Sequence, residues 1–443
     1  MNDVRSAIHR HPADWQECYL SDLISPDSSI TYGVVQPGPE IQDGVLFIRG
    51  GDIFNGKIFI EKLRTISKEI SSSYKRTLLN GGELVMSLVG YPGEVAIVPS
   101  SLKGANIARQ AALIRLKNEV CNTFVMYYLL SESGKYFLFE KSTGSAQQVI
   151  NLADLKYVKV ILPPMSQQQK IAKILTAVDN LIEQTQALID KYTAIKQGMM
   201  ADLFTRGIDL SGTPETNPNH GQLRPSFEEA PELYKETELG WVPREWRTVS
   251  LGEIAEKITS GSRDWAAYYA DSGDLFVRIS NLTREHINFR WDSVKYVDIG
   301  GGSEGERTRL LDGDILISIT ADLGIVGVVP KGFERAYINQ HTALVRLVSQ
   351  CNPRFTGNYL SSHSGQVQFE KYNDTGAKAG LNLPTIASLK CLFPSLNEQA
   401  EISKIIDALD SKVSIQKVEL SKHEMVKKGL MQDLLTGKVQ VTA

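Results

Sequence analysis

Shifted by 231 residues, the chain falls on itself. Gly82–Lys117 lands on Gly313–Val348 without a gap, with 12 of 36 positions identical. Ser166–Arg206 lands on Asn397–Gly437, again without a gap, with 13 of 41 identical. Pro12 and Trp15 meet Pro243 and Trp246, and Gln168 meets Gln399. One offset held from residue 12 to residue 206 means that the chain is two copies of one unit, and any fold must be built twice. At 443 residues, two to three domains are expected.

The first part of each copy mixes short strands with helices. Glu83–Val89, Glu94–Pro99 and Ala111–Leu116 read as strands, as do Asp314–Thr320, Ile325–Pro330 and Thr342–Leu347. They are β-branched, short and bounded by Gly and Pro. Phe124–Leu130 and Phe355–Ser361 read as helices. The mixed order predicts an α+β class.

The second part is a long helix. Ile171, Ile174, Val178, Leu181, Thr185, Leu188, Tyr192, Ile195 and Met199 alternate steps of three and four, which is a coiled-coil seam. The second copy carries Ile402, Ile405, Leu409, Val413, Leu420, Val426, Leu430 and Leu434, interrupted by Gln416 and His423. Gly198 and Gly429 recur near the helix ends, where close helix packing is one reading and a tolerated accident the other. Between the copies, Ile208–Gly240 has no periodicity and reads as an extended linker. It carries seven acids against two bases, so in a chain of net charge −3 the rest of the chain carries +2 and the globular parts are mildly basic at most. The expected organisation is a globule at 1–165, a helix at 166–207, an acidic linker at 208–241, a globule at 242–396, a helix at 397–436 and a tail at 437–443.

Two like units related by an approximate two-fold axis would send one helix out and the other back. An antiparallel pair of helices, each about 60 Å long, would then hold two globules apart. Duplex DNA, which repeats every ~34–36 Å, is a natural object for such a ruler, and a spacer of two protein partners is the alternative.

The tract Leu162-Pro163-Pro164-Met165-Ser166-Gln167-Gln168-Gln169-Lys170-Ile171, with Met200–Gly207 at the helix end, resembles the conserved helical region of Type I restriction–modification specificity subunits. So do Pro394–Ile402 and Leu434–Lys438. Leu239-Gly240-Trp241-Val242-Pro243, with Trp246 and Leu251, resembles the entry to that family's second target-recognition domain. The resemblance implies two globular target-recognition domains, each reading one half of a bipartite target in double-stranded DNA. It implies that the helices set the gap and dock two methyltransferase (modification) subunits, with Ile171, Ile174, Val178, Ile195, Ile402, Ile405, Leu409 and Leu430 as partner-binding positions. A restriction subunit would join them. Adenine-N6 methylation with S-adenosylmethionine, and cleavage with ATP and Mg, would belong to those partners, this chain binding no cofactor.

The residues agree that chemistry is missing. There is no GxxxxGK[ST] loop, and Pro163-Pro164 lacks the Asn/Asp-Pro-Pro-aromatic form of an adenine methyltransferase. Asp154-Leu155-Lys156 lacks the upstream acid of a metal nuclease. Cys18, Cys121, Cys351 and Cys391 form no CxxC pair, which predicts neither zinc nor disulfides and suits a reducing cytoplasm. MNDVRSAIHRH has no apolar core, so no secretory signal is expected.

Base reading needs Arg or Lys for guanine and Asn or Gln for adenine. Four clusters offer them. Arg263 and Trp265 lie in a Gly/Ser loop, where the Trp alternatively plugs the core. Arg49 and Arg278, with Asn281 close behind, follow apolar strands in equivalent places, where supporting the fold is an equal reading. Lys141, Gln147 and Gln148 in one copy, and Lys371 and Lys378 in the other, lie in matching polar loops. Arg109-Gln110 and Asn339-Gln340-His341 precede buried strands. His341 has no Cys, Ser or acid at a supporting spacing, so it is not read as catalytic.

Overall fold

A computed structural model describes residues 11–139, 149–263, 265–299, 305–371 and 381–441. The chain divides into two compact units, 1–186 with 418–443, and 187–417. Each is α+β, and the offset of 231 relates Leu84–Ser87, Val95–Ile97, Ala111–Ile114 and the long helix of one copy to their counterparts in the other.

In unit 1, Ala111–Ile114 pairs antiparallel with Leu84–Ser87, which pairs with Val95–Ile97. In unit 2, Thr342–Leu347, Ile315–Ser318 and Val326–Val328 repeat that order and register. Gln16↔Leu162 becomes Arg247↔Phe393. A second sheet in each unit contains a parallel pair, Val45–Ile48 beside Asn106–Ile107 and Asp274–Val277 beside Ala336–Ile338. The predicted strands and the two helices, now Asn122–Leu130 and Pro353–Ser361, stand where periodicity put them.

The long helices are Met165–Thr205 and Leu396–Leu435. Each unit draws on both. In unit 2, Met200, Leu203 and Phe204 enter the core, with Phe204 edge-on to Phe355 and Tyr359 at 5.6 and 5.5 Å. In unit 1, Leu434 and Leu435 fill the same role beside Trp15 and Ile171. A buried side chain of this size contributes roughly 1.5–3 kcal/mol. A globule is therefore finished by the helix end of the other copy.

The motif that begins each helix is structural. Gln168 accepts from the Cys121 N–H at 2.9 Å and donates to the Pro163 carbonyl at 2.8 Å. Gln399 repeats both bonds with Asn352 and Pro394. The side chain thus ties the incoming loop to the neighbouring helix, and the buried amide has a partner at both its oxygen and its nitrogen.

Inside each unit the helix segments meet antiparallel. Asp179 pairs with Lys427 at 2.7 Å in unit 1, and Asp410 with Lys196 in unit 2. These are one ion pair under the offset. His423, an expected interruption, has its Nδ1 3.3 Å from the Thr185 hydroxyl. The expected seam needs correction at alternate positions. Leu181, Leu188, Ile195 and Val426 are exposed, while Ile189, Lys196 and Leu175 are buried and Lys427 is half-buried. Apolar periodicity alone prefers Ile195 to Lys196, but the aspartate facing Lys196 lets the lysine take the inner face. Ile171 and Ile402 are wholly buried in their own units' cores, so they offer no surface to a partner.

Two further expectations fail. The segment 208–241 is not an extended linker. Ile208, Arg224 and Tyr234 are buried in unit 2, and Tyr234–Thr237 pairs with Gly240–Pro243. Nor are Gly198 and Gly429 packing sites, since a Cβ at either would meet nothing within 4 Å. Nothing in the structure requires glycine there. Gly198→Ala and Gly429→Ala are each expected to stabilise the chain by about 1 kcal/mol. Urea melts giving no increase in midpoint would show that these glycines have a role the fold does not display.

Candidate nucleic-acid interface

Each unit gathers four chain segments at the ends of its parallel strand pair. In unit 1, Gly33 and Val34 run beside Ile107 and Ala108, with Val34 N–H donating to Ile107 O and Arg109 N–H to Val34 O. The approach is so close that a Cβ on Gly33 would sit 1.8 Å from the Ile107 carbonyl oxygen. Gly261 stands in the same relation to Ile338 and Asn339, at 2.2 Å. The Leu88 N–H donates to Gln110 O, and the Ile150 N–H to Leu88 O. In unit 2 the same bonds run from Ile319 to His341 and from Leu381 to Ile319. One backbone frame therefore presents different side chains in the two copies.

Three of the four expected clusters meet on this edge. Arg49, Arg109 and Gln110 line one concavity of about 370 Å³ in unit 1, together with Gln36, Phe47 and Arg64. In unit 2 the Val277↔Ile338 and Ser262↔Asn339 pairings bring Arg278 and Arg263 beside Asn339, Gln340 and His341. Lys141, Gln147, Gln148 and Lys378 lie outside the described residues. Lys371 is exposed at the end of the helix His363–Glu370.

The guanidinium groups are not equivalent. Arg49 grips Asp52 through Nε at 3.0 Å and Nη2 at 2.7 Å, and donates to the Lys62 carbonyl. Asp52 is buried and also accepts from the Arg49 N–H, so this arginine closes its own turn. Arg278 donates to Ser293, and Asn281 caps the Arg278 N–H while donating to Arg290 O and Ser293 O. Asn281 is 1% exposed, and its amide is spent. The reading in which these residues hold the fold is the one the geometry favours. Trp265 is 4% exposed, packed among Tyr268, Phe276 and Tyr337, so of its two readings the core plug holds and the DNA-contact reading is corrected. The apolar demand of a small second core outweighed the loop's polar look.

Arg109, by contrast, is exposed, and its guanidinium has no partner among the described residues. Gln110 is exposed beside it. Their counterparts differ in kind. Gln340 Nε2 lies 3.0 Å from His341 Nε2, and His341 Nδ1 lies 2.9 Å from the Thr320 hydroxyl. Arg64, with Glu40 at 3.2 Å, was missed by sequence reasoning, because it falls in the divergent stretch 24–80 where the copies cannot be compared.

Such an edge can donate and accept hydrogen bonds but, among the described residues, carries no reaction centre. Among the described residues no three His, Cys, Asp or Glu side chains group to hold a metal, and no helix is long and apolar enough to cross a membrane. Burial pushes the Cys18 thiol up to about 11 and Cys391 further in the same direction, the opposite of an activated nucleophile.

The family model for the Type I restriction modification DNA specificity domain matches residues 34–192 and 243–423, once in each repeat. A putative type I restriction enzyme specificity subunit, MjaX, of Methanocaldococcus jannaschii is 27% identical over 99% of this chain and 97% of its own. The EcoBI specificity subunit of Escherichia coli is 32% identical over 44% of this chain and 42% of its own. Among solved structures, the Type-I restriction-modification system S subunit from M. genitalium shares the fold with a TM-score of 0.58 at 15% identity, covering 96% and 97% of the two chains. A chain from a structure of type I R-M complex assembly and conformational transition gives 0.55 at 16%, covering 97% and 100%.

Proposed function

The chain belongs to the family of Type I restriction–modification specificity subunits, and from that premise we propose that it reads a bipartite DNA sequence, one half with each unit. The observation that carries this reading is the repeated edge: identical backbone bonds hold Arg109-Gln110 in one copy and Gln340-His341 in the other. A common frame with unlike donors is what two readers of unlike half-sites need, since side chains at base edges carry the specificity while the frame fixes register. Gln110, Arg263, Gln340 and His341 stand with Arg109 as candidate contacts, and the polar loops with Lys141, Gln147, Gln148, Lys371 and Lys378 border the same task.

The long helices act as an antiparallel coiled-coil spacer that sets the unread gap, and their outward faces dock two methyltransferase subunits. The outward residue in the expected partner set is Ile195, to which Leu181 and Leu188 add apolar area. A restriction subunit completes the complex. S-adenosylmethionine, ATP and Mg are handled by those partners, in the cytoplasm. With so little net charge, affinity for phosphate is modest until the methyltransferases close around the duplex.

Expression with the methyltransferase subunit, followed by mapping of modified adenines across a host genome, tests the proposal. Two short defined halves separated by a fixed undefined gap are expected. An assembled, cofactor-loaded complex that modifies no split motif would leave a protein adaptor in place of a DNA reader.

A further inference from the structure

The two copies differ at one place where the difference leaves a hole. In unit 2 the turn between Asn281 and Arg290, closed by the Arg290 N–H to Asn281 O bond, lies against the helix segments. The Lys196 Nζ that pairs with Asp410 also donates to the Glu285 carbonyl at 2.8 Å. The Glu285 carboxylate takes Lys417 at 2.6 Å, and Arg284 donates to Gln366 at 2.7 Å. Ile287 is fully buried, and its carbonyl accepts from the Val328 N–H. The loop thus seals the space between globule and helices.

Unit 1 closes the equivalent turn with the Phe59 N–H to Asp52 O bond and is two residues shorter there. Among the described residues the turn meets the helix only through the exposed ion pair of Lys57 with Glu183 at 2.7 Å, with no main-chain carbonyl laid on Lys427. A cavity of about 590 Å³ remains, lined by Phe54, Leu130, Lys135, Ile182, Lys427 and Met431 among others. Lys427, the counterpart of Lys196, has Asp179 and the Tyr127 ring but no carbonyl among the described residues. Lys135, the counterpart of Gln366, turns to Glu94 at 3.1 Å. Phe54 stands 46% exposed at the rim.

We propose that this cavity in unit 1 is a docking pocket for a peptide loop of a partner protein, one that presents a branched apolar side chain to Phe54, Ile182 and Met431 and a main-chain carbonyl to Lys427. The occupant's chemistry is set by the twin site, where the chain's own Thr283–Ile287 fills the space in that way. A half-buried lysine with a spare donor over an apolar floor favours an occupant that supplies an acceptor, and the second copy displays the match. The pocket is independent of whether the edge described above reads DNA.

The probe is a fluorescent, cyclised peptide with the sequence of Leu282–Arg290, titrated into the full chain. Saturable binding at one site is expected. It should weaken at least tenfold in Lys427→Met and in a peptide bearing Ile287→Asp. It should also disappear when Ile53–Ile58 is replaced by the sequence of Leu282–Phe289, which lets unit 1 fill its own cavity. Unchanged urea melts of these chains keep loss of fold from imitating loss of binding. No saturation up to millimolar peptide, or binding that survives the loop graft, overturns the proposal. So does uptake of 8-anilinonaphthalene-1-sulfonate at the cavity without uptake of peptide, which would mark a small-molecule site.

Discussion

Replacing Glu398 with alanine is expected to unfold unit 2 preferentially, at a cost of about 3–5 kcal/mol. Glu398 is buried and serves three donors. Its Oε1 accepts from Arg224 and from the Ile208 N–H at 2.9 Å, and its Oε2 accepts from the Trp246 indole at 3.0 Å. Removing the carboxylate leaves the buried Arg224 with the exposed Glu245 and the Arg206 carbonyl but no buried counter-charge, and strands two N–H groups. The twin position gives the control. Gln167 accepts from the Trp15 indole at 3.0 Å and meets no buried cation among the described residues, so Gln167→Ala should cost only about 1 kcal/mol. The pair also explains why one copy carries Gln and the other Glu: only unit 2 receives an arginine from the segment 208–241. Hydrogen exchange read by mass spectrometry separates the units. In Glu398→Ala, protection should fall across 242–299 and 381–396 while 11–139 keeps its own. Equal loss in both would show that the network does not belong to unit 2 alone.

Arg109→Ala is expected to relax a single base in one half of the target. A bidentate arginine contact to guanine discriminates by about 1–3 kcal/mol, a preference of about fivefold to roughly 150-fold. The half read by unit 2 should be untouched. Genome-wide mapping of modified adenines for the variant makes the distinction. A motif whose unit 1 half now tolerates any base at a former guanine supports base reading. Uniformly weaker modification with no change in motif assigns Arg109 to phosphate instead. Arg49→Ala is the informative comparison. It releases Asp52, a buried carboxylate, so it should lower the stability of unit 1 without exchanging one base for another.

The repeat, the strands and the helices were legible in the sequence because they rest on local regularity. Alternation of two and of 3.6 residues writes itself into apolar spacing, and a duplicated fold writes everything twice at one offset. The family followed from the same motifs, whose Gln168 and Gln399 proved to be internal ties. What the sequence could not rank was the competition among polar groups. Whether an arginine is free or spent depends on a carboxylate that the fold places beside it: Arg49 has Asp52, and Arg109 has no such partner among the described residues. Whether a lysine faces in or out depends on an aspartate from a distant stretch of chain, as with Lys196 and Asp410. The acidic segment 208–241 looked unstructured because it lacks periodicity, yet Arg224 and Tyr234 anchor it through contacts that no local pattern records. The sequence alone determined that there are two like units with long helices; only the tertiary structure decided which side chains remain free, because ion pairing and burial are settled between residues far apart in the chain.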